Sequence, residues 1–185
     1  LLAGSADFLG LNHYSSLLAS EPTKIPTFGG YWADTFVDFH SKDDWRINDQ
    51  GWAVVPDGCR KMLKWIAHRY NNPIIYMTEN GSAEPEPSLE VARDDEGRRH
   101  YFEGYIGACA QAIREGVKLR GYFAWSLMDN FEWQFGYQRR FGLCYVDFNT
   151  QVRTPKLSAE WYRSTILTNG DNIQLPNNDK EEHIE

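Results

Sequence analysis

The residues best suited to chemistry in this chain stand at the ends of short apolar runs. Pro73-Ile74-Ile75-Tyr76-Met77 is brief, β-branched and without alternation, the pattern of a strand buried in a parallel sheet. It closes on Thr78-Glu79-Asn80-Gly81: a hydroxyl, a carboxylate, an amide and a glycine. Barrel enzymes place catalytic groups at the C-terminal tips of parallel strands, which makes Glu79 a candidate catalytic carboxylate. A solvated loop glutamate is the competing reading of these four residues taken alone. Two further runs end in the same way. Phe8-Leu9-Gly10-Leu11 leads to Asn12-His13-Tyr14, and Gly121-Tyr122-Phe123-Ala124-Trp125-Ser126-Leu127-Met128 leads to Asp129-Asn130-Phe131-Glu132-Trp133. Gly136-Tyr137-Gln138-Arg139-Arg140-Phe141-Gly142 follows, and Gly51-Trp52 lies just ahead of a helix start.

The elements that must position these groups form a repeating pattern. A strand over about 7–13 precedes a long loop, 15–55, rich in Pro, Gly, Asp and aromatics; so long a loop in a compact fold is usually functional. Pro56-Asp57 opens a helix to about Tyr70, with Met62, Leu63, Trp65, Ile66 and Tyr70 available for its buried side. After the Glu79 strand, 83–88 is Pro-rich loop. Asp94-Asp95-Glu96 then begins a helix with Phe102, Tyr105, Ile106, Cys109 and Ile113 at helical spacing, ending at Gly116. Pro155 opens the last helix, with Leu157, Trp161, Ile166 and Leu167 apolar. This βαβαβα order implies an α/β fold with a parallel sheet and right-handed crossovers. Three such units do not close a barrel, which needs eight strands and roughly 250 residues. They leave two open strand edges.

Taken together, the four separated motifs resemble glycoside hydrolase family 1, the retaining β-glucosidases and β-galactosidases. The resemblance runs from about Ala6 to about Leu167. It implies that the chain is the C-terminal portion, about strands six to eight, of a (β/α)8 TIM barrel. The chain is accordingly expected to be a fragment of a larger enzyme, an expectation with which a start at Leu1 rather than Met agrees. The resemblance makes Glu79 the nucleophile and Tyr14 the hydroxyl that donates to it; a donor to the ionised form favours the charged carboxylate. Asn12 matches a neighbouring polar site residue and Trp125 the platform beneath the sugar. Glu132 matches the carboxylate that takes O4 and O6, Trp133 the indole that donates to O3, Phe141 the O6 side, and Trp52 the aglycone platform. Retaining glycosidases need a second carboxylate about 5–5.5 Å from the first. The family carries it in an Asn-Glu-Pro motif that this chain lacks; Ala83-Glu84-Pro85 and Pro85-Glu86-Pro87 have no Asn. An anionic Glu132 would repel a 6-phosphate, so an unphosphorylated β-glycoside is expected, with no metal or organic cofactor.

Composition agrees with a sugar site and excludes other classes. Aromatic residues make up 15% of the chain, with seven Trp, and sugars need flat aromatic faces beside bidentate polar groups. Core packing is the alternative for any single Trp. The net charge of −7 and the absence of a basic run argue against nucleic acid. Cys59, Cys109 and Cys144 have neither even number nor close spacing, and read as buried reduced thiols. No apolar run approaches the ~18 residues of a membrane span, and Leu1-Leu2-Ala3-Gly4 lacks the basic region and length of a signal peptide. The resemblance implies that residues 1–169 are the C-terminal part of the barrel. The tail 170–185, with Asp171, Asp179, Glu181, Glu182 and Glu185 against Lys180, is expected to be disordered. Asn80-Gly81-Ser82 matches a glycosylation sequon, read as fortuitous because it would lie in the site's floor. Two alternatives remain: a non-catalytic sugar-binding or receptor-partner relative on the same barrel, and an inactive truncated product.

Overall fold

A computed structural model describes residues 4–23 and 29–173 of the chain. In order the elements are β1 (Leu9–Asn12), β2 (Leu18–Ser20), α1 (Tyr31–Asp34), β3 (Asp38–His40), α2 (Pro56–Arg69) and β4 (Ile75–Asn80). Then come α3 (Leu89–Arg93), α4 (Glu96–Arg114), β5 (Leu119–Ala124), a 3₁₀ turn (Trp133–Phe135), β6 (Cys144–Val146), β7 (Arg153–Pro155) and α5 (Leu157–Leu167).

Connections as long as α2 and α4 permit parallel pairing, and β1, β4 and β5 pair so, with β4 in the middle. One face of this sheet carries Ile75, Met77 and Leu119 into a core with Leu63 and Ile66 of α2 and Phe102 of α4. Burying each such side chain contributes on the order of 1.5–3 kcal/mol. The opposite face, bearing Phe8 and Phe123, is more than half exposed at both residues. The central run, expected to be a buried strand, buries Ile75 and Met77 on this face and leaves Tyr76 half-buried on the other. There Tyr76 meets Phe8 edge-on at 5.2 Å. β1 and β5 keep one open edge each among the described residues.

Several boundaries differ from the sequence reading. The segment 15–55 is not one loop. It holds the antiparallel pair β2–β3, the single turn α1 and a tight hairpin over 46–54, where Ile47 faces Ala53. Turn-forming residues hid these short strands, which are held by local backbone bonds rather than by apolar periodicity. A separate short helix, α3, precedes α4; the Ser88 hydroxyl accepts from the Val91 amide and caps it. Pro155 ends β7 instead of opening α5, because its segment pairs with β6, Cys144 opposite Pro155. The strand expected over 121–128 starts earlier and stops at Ala124. Cys59 and Cys109 are buried free thiols, as read; Cys144 is free and only partly buried. From residue 174 onward the expected acidic tail lies outside the described residues.

Candidate active site

At the C-terminal end of the sheet the strands fall out of register, and this re-aims Glu79. Asn12 of β1 pairs with Glu79 although Leu11 pairs with Met77, so Thr78 is an extra residue. On the other side Met77 and Asn80 pair with Tyr122 and Ala124, leaving both Thr78 and Glu79 against Phe123. Such bulges bend a strand and redirect its side chains, commonly beside active sites. The segment is pinned from several directions. Glu79 accepts through its carbonyl from the His13 amide at 3.0 Å, and Trp125 N–H donates to the Asn80 carbonyl at 2.8 Å. The buried Asn80 amide donates to the His13 carbonyl (2.6 Å) and to the Tyr101 hydroxyl (2.9 Å), while Tyr122 donates to its oxygen. Both amide hydrogens are therefore committed in the interior, which bears out the reading of the sequon as fortuitous. At Gly81 a Cβ would lie 1.8 Å from the Trp125 carbonyl oxygen, so only glycine admits this approach of β4 to β5.

Around the Glu79 carboxylate the described side chains converge. The Tyr14 hydroxyl donates to Glu79 Oε2 at 2.5 Å. Burial raises the Tyr14 pKa well above its ordinary value, and the bond to Glu79 together with the negative charges of Glu79 and Glu132 raises it further. Tyr14 is thus a proton donor throughout the physiological range. Its ring packs on Trp52 (5.3 Å) and edge-on against Phe141 (6.2 Å), and Trp52 and Phe141 also meet at 6.2 Å. Glu132 is buried, at 9% exposure. Burial raises its pKa, a hydrogen bond from Trp125 opposes this, and the charge of Glu79 adds to the rise. Asn12 accepts from the Thr78 hydroxyl at 2.6 Å at the exposed strand end. Trp133 begins the 3₁₀ turn at φ 43 and is 76% exposed. Six of the other seven candidate residues are thus linked, directly or through a neighbour, to the β4 tip that carries Glu79. Trp133 adjoins Glu132 in sequence and stands in the open.

Beneath these loops lies a set of charges that sequence reasoning did not single out. Arg98 pairs with Asp95 and, at 2.6 Å, with Glu86. Lys156 Nζ lies 2.6 Å from Glu86 and 3.1 Å from Asp129, and Arg140 lies 2.5 Å from Asp129. Three acids and three bases balance. Asp129 also accepts from the Gly142 and Val146 amides, at 2.9 and 3.2 Å, which fixes the loop that carries Glu132 and Phe141. Arg98 donates to the Ser82 carbonyl, three residues beyond Glu79, at 3.0 Å. Burial pushes the Glu86 pKa up against the pull of Arg98 and Lys156. Burial likewise pushes Lys156 down, helped by Arg98 and opposed by Glu86 and Asp129. Burial alone would lower Arg98, but Glu86 and Asp95 outweigh it and raise it. These residues are scattered from 86 to 156, and no local pattern announces that they meet. Among the described residues no His, Cys, Asp and Glu group could hold a metal ion, and no helix is long and apolar enough to cross a membrane.

The described side chains thus gather, at a parallel strand tip, a carboxylate bonded by a tyrosine hydroxyl with aromatic rings and a second acid nearby. The family model of glycosyl hydrolase family 1 matches residues 1–171, and the chain belongs to that family. It is 42% identical over 165 residues to Beta-glucosidase A of Thermotoga maritima, covering 89% of this chain and 35% of that protein. It is 41% identical to "Probable inactive beta-glucosidase 14" of Oryza sativa subsp. japonica, over 86% of this chain and 33% of that one. Among solved structures, the β-glucosidase from Thermotoga maritima in complex with methoxycarbonyl-substituted glucoimidazole matches with a TM-score of 0.78 at 42% identity. That match covers 89% of this chain and 35% of the other. The chain thus spans about a third of the length of these relatives.

Proposed function

We propose that this chain is the C-terminal part, strands six to eight, of a retaining (β/α)8 β-glycosidase acting on terminal non-reducing β-D-glucosyl or galactosyl residues. The observation that carries this reading is the Tyr14–Glu79 hydrogen bond of 2.5 Å at the tip of β4, with Trp52, Phe141 and the Trp125–Glu132 pair around it. In this reading the Glu79 carboxylate attacks C1 of the sugar and forms a glycosyl ester as the bond to the aglycone oxygen breaks. That oxygen takes a proton from a carboxylic acid on the remainder of the barrel, which then deprotonates the water that hydrolyses the ester. Tyr14 orients the nucleophile. Trp125 lies under the sugar, Glu132 grips O4 and O6, Trp133 donates to O3, and Phe141 lines the O6 side. Asn12 completes the polar wall and Trp52 faces the aglycone. The charge of Glu132 disfavours a 6-phosphorylated sugar. In the same reading residues 1–169 are barrel and 170–185 an acidic extension. The open edges of β1 and β5 receive the remaining strands.

The name of the rice relative supports a second reading, a non-catalytic member of the family. One experiment separates them. The test protein is the full-length protein that contains this chain or, if the 185 residues are the whole product, a barrel completed with the N-terminal two-thirds of the Thermotoga relative. A 2-deoxy-2-fluoro β-glucoside should label Glu79 covalently, read as a mass increment on the peptide spanning 75–80. Labelling of another acid, or none, overturns the assignment.

A further inference from the structure

The hairpin that presents Trp52 is built around one side chain that the site's chemistry does not use. Asn48 is buried, at 7% exposure. Its Oδ1 accepts from two backbone amides, those of Gln50 (3.0 Å) and Trp52 (2.9 Å). Its backbone closes the turn, with Asn48 N–H donating to the Trp52 carbonyl (2.9 Å) and Gly51 N–H to the Asn48 carbonyl (3.0 Å). Gly51 supplies the positive φ of 82 that a three-residue hairpin loop needs at its last position. The turn is also tied outward. Asn48 Nδ2 donates to the Ser82 hydroxyl at 3.2 Å, and Asp49 N–H to the Ala83 carbonyl at 3.2 Å. Ser82 donates in turn to Glu84 at 2.8 Å. Asp49 receives Arg139 Nη1 at 2.7 Å, from the loop that carries Glu132.

Trp52 is therefore tied to the Glu79 segment in three ways: its ring meets that of Tyr14, whose hydroxyl reaches Glu79, at a tilt of 57°; Asn48 bonds Ser82, three residues beyond Glu79; and the Asp49 N–H bonds the Ala83 carbonyl. We infer that Asn48 is a positioning residue that sets where the leaving-group side of the substrate lies relative to the nucleophile. It acts through Trp52 and not on the sugar itself. The inference rests on the proposed roles of Glu79 and Trp52, and its kinetic consequence is specific. The aglycone is present while the glycosyl ester forms and gone when it is hydrolysed, so a misplaced Trp52 slows the first step and leaves the second alone.

The test uses the full-length or completed barrel, with active sites counted by fluoro-sugar labelling. Asn48→Ala should lower kcat/KM about tenfold or more for a β-glucoside with a sugar or alkyl leaving group, where ester formation limits the rate. It should leave kcat unchanged for dinitrophenyl β-glucoside, where ester hydrolysis limits. In a Trp52→Ala background the Asn48 effect should vanish, the mark of coupling between the two. Ser82→Ala, which removes the partner of Asn48 Nδ2 while the turn and the Asp49–Ala83 backbone bond remain, should show the same leaving-group dependence with a smaller loss, even if Asn48→Ala fails to fold. An equal loss on both substrates, no loss on either, or an undiminished loss in the Trp52→Ala background would overturn the inference while Glu79 labels normally. Failure of Glu79 to label would overturn the catalytic reading and this inference with it.

Discussion

At the scale of single residues, the site depends on what each side chain can do once water is excluded. Glu79→Gln in the complete enzyme is nearly isosteric and still accepts from Tyr14, yet it cannot form a glycosyl ester. Turnover of an aryl β-glucoside should disappear while sugar binding, read by calorimetry, stays largely in place. Glu132 makes a different contribution. Burial raises its pKa, the hydrogen bond from Trp125 opposes the rise and the nearby charge of Glu79 adds to it, so in the proposed reading further donors from sugar hydroxyls would stabilise its charged form. Glu132→Ala should therefore cost about 2–3 kcal/mol of transition-state binding, the worth of hydrogen bonds to a charged group. It should weaken glucosides and galactosides unequally, because they differ at O4. Equal kcat/KM values for wild type and variant on both sugars would show that Glu132 does not touch the substrate.

At the scale of elements, the loops after β4 and β5 are joined by the charge network at their base. Lys156 is fully buried between Glu86 and Asp129. Removing one partner of a buried ion pair leaves uncompensated charge and costs about 3–5 kcal/mol. Lys156→Met should lower stability by that order in urea unfolding of the complete barrel. The sign of its pH dependence follows from Glu86. Burial holds the folded Glu86 pKa above its unfolded value, so its contribution to stability is present at low pH and lost as pH rises through the folded pKa. Without Lys156 that pKa rises further. The stability gap between wild type and Lys156→Met should accordingly narrow as pH falls into the carboxylate range. A gap independent of pH would place the damage in packing instead.

At the scale of the whole molecule, three βα units form a layered core with one sheet face half bare. Phe8 and Phe123 are 55% and 57% exposed on that face, and β1 and β5 each keep an open edge. Open edges and apolar patches invite association. Expressed alone, the 185-residue chain should run as oligomers or aggregate in size-exclusion chromatography and should not hydrolyse aryl β-glucosides. General acid catalysis, worth typically ~10²–10⁴-fold, would be missing along with its carboxylic acid. Co-expression with the N-terminal two-thirds of a family member should restore both solubility and Glu79-dependent turnover. A monodisperse monomer with a sharp melt would defeat the folding expectation, and turnover by that monomer would defeat the chemical one.

The parts of this protein legible in the sequence were those set by local patterns. Apolar runs ending in polar residues located the three strands to within a few residues, and helical spacing located α2 and α4. The motifs at the strand ends were enough to recognise the family. The sequence could not foretell the slip at Thr78 that re-aims Glu79, since register is decided by which backbone groups meet across strands. The short 46–54 hairpin does carry a local signal, Asn48 followed by Gly51, but the segment has no apolar alternation to mark its two arms as strands. The six-charge cluster was out of reach for a stronger reason. Glu86, Arg98, Asp129 and Lys156 are ordinary surface residue types, and only chain crossings distant in sequence make them partners in the interior. Local periodicity determined the three parallel strands and the long helices; burial and long-range pairing, which exist only in the folded chain, decided the short elements and how the site is held.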